Sequence, residues 1–345
     1  MARRAKEPSA PPDEAEADHP RRAAQCLGHA AAEERFLETY NAGRLHHAWL
    51  LTGLKGVGKA TFAYRAARFL LADAKDEAGG LFGAAAPPTS LDRSPDDPGV
   101  HRVAAGSHAD LFTLEPERPG RPIAAEAARG LPSFLQLTAG EGAWRVVIID
   151  AADDLNRTSA NILLKQIEEP PRQTVLFLVS HSPGQLLPTI RSRCARLAFQ
   201  PLLDESVARI LAERRPEADS DAIAAAVALA GGSAGRGLAL LDGDGAAIVT
   251  ALGRALDGRR GDGLLLAEAF AGQVARAPFH YDLASETLMA WIAAASRPPS
   301  APPPPGLTPD LERSARISAG LGPKPWIDLY AHAQVRFERV KAVNL

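Results

Sequence analysis

His47-Ala48-Trp49-Leu50-Leu51-Thr52-Gly53-Leu54-Lys55-Gly56-Val57-Gly58-Lys59-Ala60-Thr61 is the stretch that decides the fold. His47 to Thr52 reads as a short apolar strand, Gly53 to Gly58 as a turn, and Lys59 to Leu71 as a helix with Phe62, Ala63, Ala66, Phe69 and Leu70 on one stripe. In that context the motif is a phosphate-binding P-loop: Gly53, Gly56 and Gly58 let backbone N–H groups turn inward around phosphate oxygens, and Lys59 reaches the terminal phosphates. The plain alternative is a glycine turn that only joins strand to helix. The next position normally offers a hydroxyl to magnesium, and here it is Ala60, which has no oxygen. Thr61 stands one position on, within reach of a phosphate but not where the metal ligand belongs.

Working outward, Val146 to Ile149 is an apolar run ending at Asp150, and Val175 to Val179 is another ending at Ser180. Leu111 to Leu114 is a weaker third. A helix around Ala160 to Ile167 is stopped by Pro170-Pro171, and an earlier one carries Ala32, Phe36, Leu37 and Tyr40 on one face. Strands apolar on both faces, alternating with helices, imply a parallel sheet in an α/β domain. Residues 74–107, crowded with Gly, Pro, Asp and Ala, read as loop. Residues 1–22 read as a disordered arm, with order beginning near Cys26. Past Pro201 the strand signal ends. Residues 204–242 read as Ala/Leu-rich helices broken at Gly231-Gly232, and 246–345 as further helix interrupted by a semi-extended surface loop at Pro298 to Pro305.

Asp150, at the end of a hydrophobic strand, either helps hold a nucleotide's metal or caps the next turn. The following position, where ring-type ATPases commonly place a glutamate to polarise water, is Ala151. With the metal hydroxyl and the water-orienting acid both missing, hydrolysis at this site is not expected.

At 345 residues, 46% hydrophobic, the chain is long enough for two or three cores. Lys+Arg number 39 against 41 Asp+Glu, a net charge of -2, so no wholly basic surface for nucleic acid is expected. The two cysteines, Cys26 and Cys194, lie too far apart in sequence for a zinc motif or a disulfide framework. No apolar run approaches the roughly 18 residues a membrane span needs, and the charged, proline-rich start does not read as a signal peptide. A cytoplasmic protein without membrane contact is expected.

Thr189-Ile190-Arg191-Ser192-Arg193-Cys194 reads on its own as a loop of solvated arginines, and that reading suits Arg191. Four motifs in order, R-L-H-H-A-W-L-L-T-G with the P-loop, V-V-I-I-D-A-A-D-D-L-N, N-I-L-L-K-Q-I-E-E-P-P and T-I-R-S-R-C, give this chain a resemblance to the AAA+ subunits of bacterial clamp loaders, specifically the delta-prime family of DNA polymerase III. The resemblance runs from about Leu27 to Leu241. Beyond that, only helical character and size match.

The resemblance implies an α/β AAA+ P-loop domain (parallel sheet flanked by helices, 23–201), a small helical lid domain (202–243) and an all-α collar domain that closes a ring (244–345). It implies that Arg193, within the Ser192-Arg193-Cys194 motif, enters the ATP site of an adjacent subunit. Ser180 falls at the sensor-1 position. Arg236, in Gly232-Ser233-Ala234-Gly235-Arg236, falls at sensor 2 as a phosphate contact, or else is a solvent-facing helix residue. Implied partners are gamma/tau and delta subunits in a pentameric ring, with the sliding clamp and primer–template DNA reached through the complex. No cofactor is required, although ATP or ADP in the degenerate P-loop is compatible with the motif. Relatives often bind zinc through four cysteines after the P-loop. Residues 74–110 here contain none, so no zinc is expected. The alternative is an ATP-hydrolysing gamma/tau-like motor in which Thr61 replaces the missing hydroxyl. A small-metabolite P-loop kinase is a third reading, which leaves Ser192 to Cys194 unexplained.

Overall fold

The computed structural model describes residues 18–72, 87–116, 122–137, 144–242, 278–296, 315 and 323–344. Strands β1 (Ala48–Thr52), β2 (Leu111–Leu114), β3 (Arg145–Ile149), β4 (Thr174–Ser180) and β5 (Ala195–Ala198) form one parallel sheet in the order β2-β3-β4-β1-β5. The strand carrying the P-loop thus lies inside the sheet, with Leu50 opposite Leu178 on one side and Arg196 on the other.

Period-two alternation sorts the strand residues between two cores. Trp49, Leu51, Val146, Ile148, Phe177 and Val179 face one layer, packed under α1 (Ala30–Asn41) and α2 (Lys59–Leu71). Leu50, Val147, Ile149, Leu176 and Leu178 face the other, under α4 (Ala125–Gln136) and α5 (Arg157–Glu168). Helix α3 (Pro98–Ala105) packs beside α2, and α6 (Pro188–Arg191) is a single turn before β5. Both faces being covered is what their unbroken apolar runs imply. The sequence-based expectation of an α/β domain with a helix-flanked parallel sheet is met, and helices follow it.

Two expectations give way, and a helix stands at 125–136, where the sequence reading made no assignment. Residues 74–107 contain α3, with Asp97 accepting from the N–H of Val100, Pro98 at the first turn and Gly106 at φ 68 closing it. It buries only Gly99 and Val103, too short a stripe to show periodicity. In the helix at 125–136, α4, Pro132 interrupts the helical pattern, while Ala128, Leu131 and Leu135 make a buried stripe. Residues 18–22, read as part of the arm, are ordered, ahead of Cys26. The turn Pro20–Arg22 is held by Arg68, whose guanidinium donates to Arg21 O at 2.8 Å and Ala23 O at 2.5 Å. The rest of the expected arm, 1–17, lies outside the described residues, as do the tract Pro298 to Pro305 and residues 243–277.

Beyond the sheet, α7 (Asp204–Arg214), α8 (Ser220–Ala230) and α9 (Ala234–Leu241) share a third core with α10 (Pro278–Ser296) and α11 (Pro323–Asn344), through Val207, Leu211, Leu240, Leu283, Trp291 and Trp326. Helices on either side of residue 243 therefore bury a common surface. Among the described residues, no helix is long and apolar enough to cross a membrane.

Phe36 is fully buried, and its ring meets Trp49, Phe62 and Phe177 with centroids 5.6, 5.9 and 5.8 Å away. Phe36→Ala should lower unfolding free energy by about 3–5 kcal/mol in urea denaturation, and a loss under about 1 kcal/mol would mean α1 is not integral to the core.

Candidate functional site

The P-loop stands where β1 ends. Gly58 caps α2 at φ 109, and no side chain caps the helix, so its first N–H groups face a cavity of about 550 Å³. Gly56, Gly58, Lys59, Ala60, Thr61 and Asp150 line that cavity, while Gly53 lies at its back, against the backbone of Phe199. Lys59 is turned inward: it is 2% exposed, and Nζ donates to Gly53 O at 2.8 Å and Leu54 O at 2.5 Å. Burial pulls its ammonium down to about 8, opposed by the carboxylates of Asp150 and Asp153.

Burial pushes the Asp150 carboxyl up to about 6, the nearby Glu115 carboxylate adding to the rise and Lys59 opposing it. Glu115 itself is held by Tyr64, whose hydroxyl donates at 2.7 Å, and by His19 at 3.2 Å. The donor set does not fit the magnesium of a working P-loop. Ala60 contributes no ligand, and Ala151, 4% exposed, is a methyl group where an acid would orient water. Among the described residues, no group of three or more His, Cys, Asp or Glu is placed to hold a metal.

Two other residues expected at the nucleotide lie elsewhere. Ser180 is fully buried and donates to Asp153 Oδ1 at 2.7 Å instead of facing the cavity. Arg236 donates from Nη2 to Thr287 Oγ1 at 2.7 Å on α10, and is not among the cavity's lining residues. A sequence motif places the residue along its helix, while its rotamer follows from the neighbouring core. His181, directly after Ser180, lines the cavity in their place, its ring kept neutral by burial, which lowers its pKa to about 3 with help from Lys59 and Lys55. Its place after a buried strand end was the available signal.

The start of α9 meets the loop directly. Gly235 N–H donates to Gly56 O at 3.0 Å, and Ser233 Oγ donates to Lys55 O at 2.8 Å. A Cβ on Gly56, at φ 77, would stand 2.9 Å from Gly235 Cα, so side chains at this meeting would force the two apart. Residues Asp18 to Leu27 supply much of another wall of the cavity, and Asp18 is tied to Arg215, at the end of α7, at 2.6 Å. Sequence reasoning assigned the start of this segment to the arm and so missed it.

Arg193 lies at the other end of the sheet. Its motif follows α6 and leads into β5, whose Ala195 is level with Trp49 at the start of β1. The P-loop begins after Thr52, so the length of β1, roughly 16 Å at about 3.3 Å per residue, separates them. The Arg193 side chain is 41% exposed, with Nη2 on Glu168 at 2.9 Å and Nη1 donating to Thr189 O at 3.0 Å. Ser192 Oγ also donates to Thr189 O, at 3.1 Å. Cys194 packs under α5, where burial pushes its thiol up to about 12 and leaves it inert.

The family model described as "DNA polymerase III, delta subunit" matches residues 28–203, about half of the chain. DNA polymerase III subunit delta' of Pseudomonas aeruginosa is 38% identical over 188 residues, 54% of this chain and 53% of that protein. The Escherichia coli subunit delta' is 35% identical over 211 residues, 61% and 59% of the two chains. The match thus spans little more than half the length of these relatives. A solved DNA polymerase III gamma subunit-related protein of Thermotoga maritima is 16% identical, covering 88% of this chain and 99% of its own, at a TM-score of 0.37. Matched by that model across the whole parallel sheet, residues 28–203, and aligned with delta-prime subunits, the chain belongs to the delta-prime family of DNA polymerase III.

Proposed function

We propose that this chain is a non-hydrolysing subunit of the bacterial DNA polymerase III clamp loader, which helps place the sliding clamp on primed DNA and lends Arg193 to the ATP site of an adjoining subunit. Its partners are gamma/tau and delta subunits in a five-membered ring in the cytoplasm, with the clamp and primer–template DNA engaged through the assembly. The observation that carries this reading is the opposition of the two sites. Arg193 is half-exposed at the start of β5, while the chain's own phosphate cradle lies beyond the far end of β1. An arginine side chain cannot bridge that length, so any phosphate it meets belongs to another molecule. Its planar fork suits phosphate oxygens better than an ammonium does.

The local site supports the same reading. Ala60 and Ala151 remove the metal ligand and the water-orienting acid, and the Lys59 ammonium is already satisfied by loop carbonyls. No bound nucleotide is needed for the role. The cradle keeps N–H donors that suit ATP or ADP, with no zinc called for. Thr61 on the cavity wall is the one observation favouring the second reading, a gamma/tau-like motor.

Two measurements separate the readings. The isolated chain with magnesium and ATP should release phosphate no faster than a protein-free blank, and a turnover in the range of about 1 s⁻¹ or above, ordinary for an enzyme, would establish the motor. In a ring assembled with its partners, Arg193→Ala should leave assembly intact by native mass while turnover at the site it serves falls by roughly 10³-fold. Full DNA-stimulated turnover in that ring would remove Arg193 from the mechanism.

A further inference from the structure

Glu168 closes α5 just before Glu169-Pro170-Pro171, and its carboxylate reaches across to the turn after α6. Its Oε1 accepts from Nη2 of Arg193 at 2.9 Å, while Nη1 of the same guanidinium is held by Thr189 O at 3.0 Å. Two of the fork's five donors are therefore held from two separate elements. The hollow around them, about 560 Å³, is open, and the stacked rings of His46 and His47, 4.5 Å apart, form another of its walls. His47 is itself joined to α5 through Ile167 O at 3.0 Å. Helix α5 and the segment leading into β1 thus form a rigid frame on which the carboxylate is mounted.

We infer that Glu168 is a positioning residue: it holds the guanidinium of Arg193 oriented toward the phosphate of an adjoining subunit. The inference rests on the reading of Arg193 as an arginine donated in trans. The alternative, that Glu168 sequesters the arginine, is disfavoured by strength. Both side chains are about 40% exposed, and a pair so hydrated holds too weakly to keep a guanidinium from a polyanion. It is strong enough to restrict rotamers. A long side chain surrenders that freedom on engaging its target, and restraint beforehand lowers what remains to be lost. The same pairing leaves the guanidinium's remaining donors uncommitted to Glu168 and Thr189.

The test uses the ring assembled with its partners, primed DNA and clamp, measuring steady-state ATP hydrolysis. Glu168→Ala should lower kcat roughly three- to five-fold with KM for ATP unchanged, since orientation and not nucleotide binding is affected. Glu168→Gln retains an oxygen on the same stem and should return kcat to within about two-fold of the parent, which loss of a merely structural contact would not predict. Should the alanine variant fail to assemble, Glu168→Met, with a similar stem and no oxygen, takes its place. Unchanged or faster turnover in the alanine or methionine variant overturns the inference, as does a glutamine variant no better than alanine. On an Arg193→Ala background the Glu168→Ala change should cost nothing further, and an added loss would place Glu168 in another role. Arg193→Ala with full activity would sink the trans-arginine reading and this inference together. Loss in Arg193→Ala beside normal Glu168→Ala would sink this inference alone.

Discussion

The direction of β1 is the constraint on which the molecule depends. It is hydrogen-bonded on both sides, to β4 and β5, and every strand of the sheet runs the same way. A parallel sheet separates its two ends by chemistry: loops leaving the strands lie at one end, loops entering them at the other. The P-loop leaves β1, and the Ser192-Arg193-Cys194 turn enters β5. Phosphate cradle and arginine are therefore held apart by the same hydrogen bonds that make the sheet, and no side-chain motion within one subunit brings them together.

The cradle is tied down from several directions. Its lysine is folded into the loop, its carbonyls are tied to the start of α9, and the Asp18 to Leu27 segment joins the end of α7 to α2 through Arg215 and Arg68. Low exposure shapes the charges there. Burial pulls the Lys59 ammonium down to about 8 and lifts the Asp150 carboxyl to about 6, so each group's charged form is the one disfavoured. The hydrogen bonds from Gly235 and Ser233, and not these charges, are what hold the start of α9 against the loop.

Much of the α/β domain was legible because its signals are local and redundant. The apolar runs at 146–149 and 175–179 lie in strands, and the stripe Ala32, Phe36, Leu37 and Tyr40 packs as its spacing implies. Where a signal was short or interrupted, it failed. Ala195–Ala198 is an edge strand burying Leu197 alone, α3 buries two positions, and Pro132 interrupts the pattern of α4. At the site, Gly56, Gly58, Lys59, Thr61 and Asp150 lie together as their spacing demands. Ser180 and Arg236 occupy the expected backbone positions, yet their side chains turn to Asp153 and Thr287.

Sequence by itself determined the class of sheet, the glycine-rich turn after its first strand and the lack of a side-chain oxygen at Ala60 and Ala151, because strand periodicity, glycine spacing and a missing oxygen are properties of the covalent chain. Tertiary structure alone decided that Lys59 faces inward, that Arg236 faces the C-terminal helices, that the N-terminal segment walls the cavity and that Glu168 holds Arg193. Each of these depends on which distant surfaces meet, and a side chain's rotamer is chosen by the neighbours that folding brings against it.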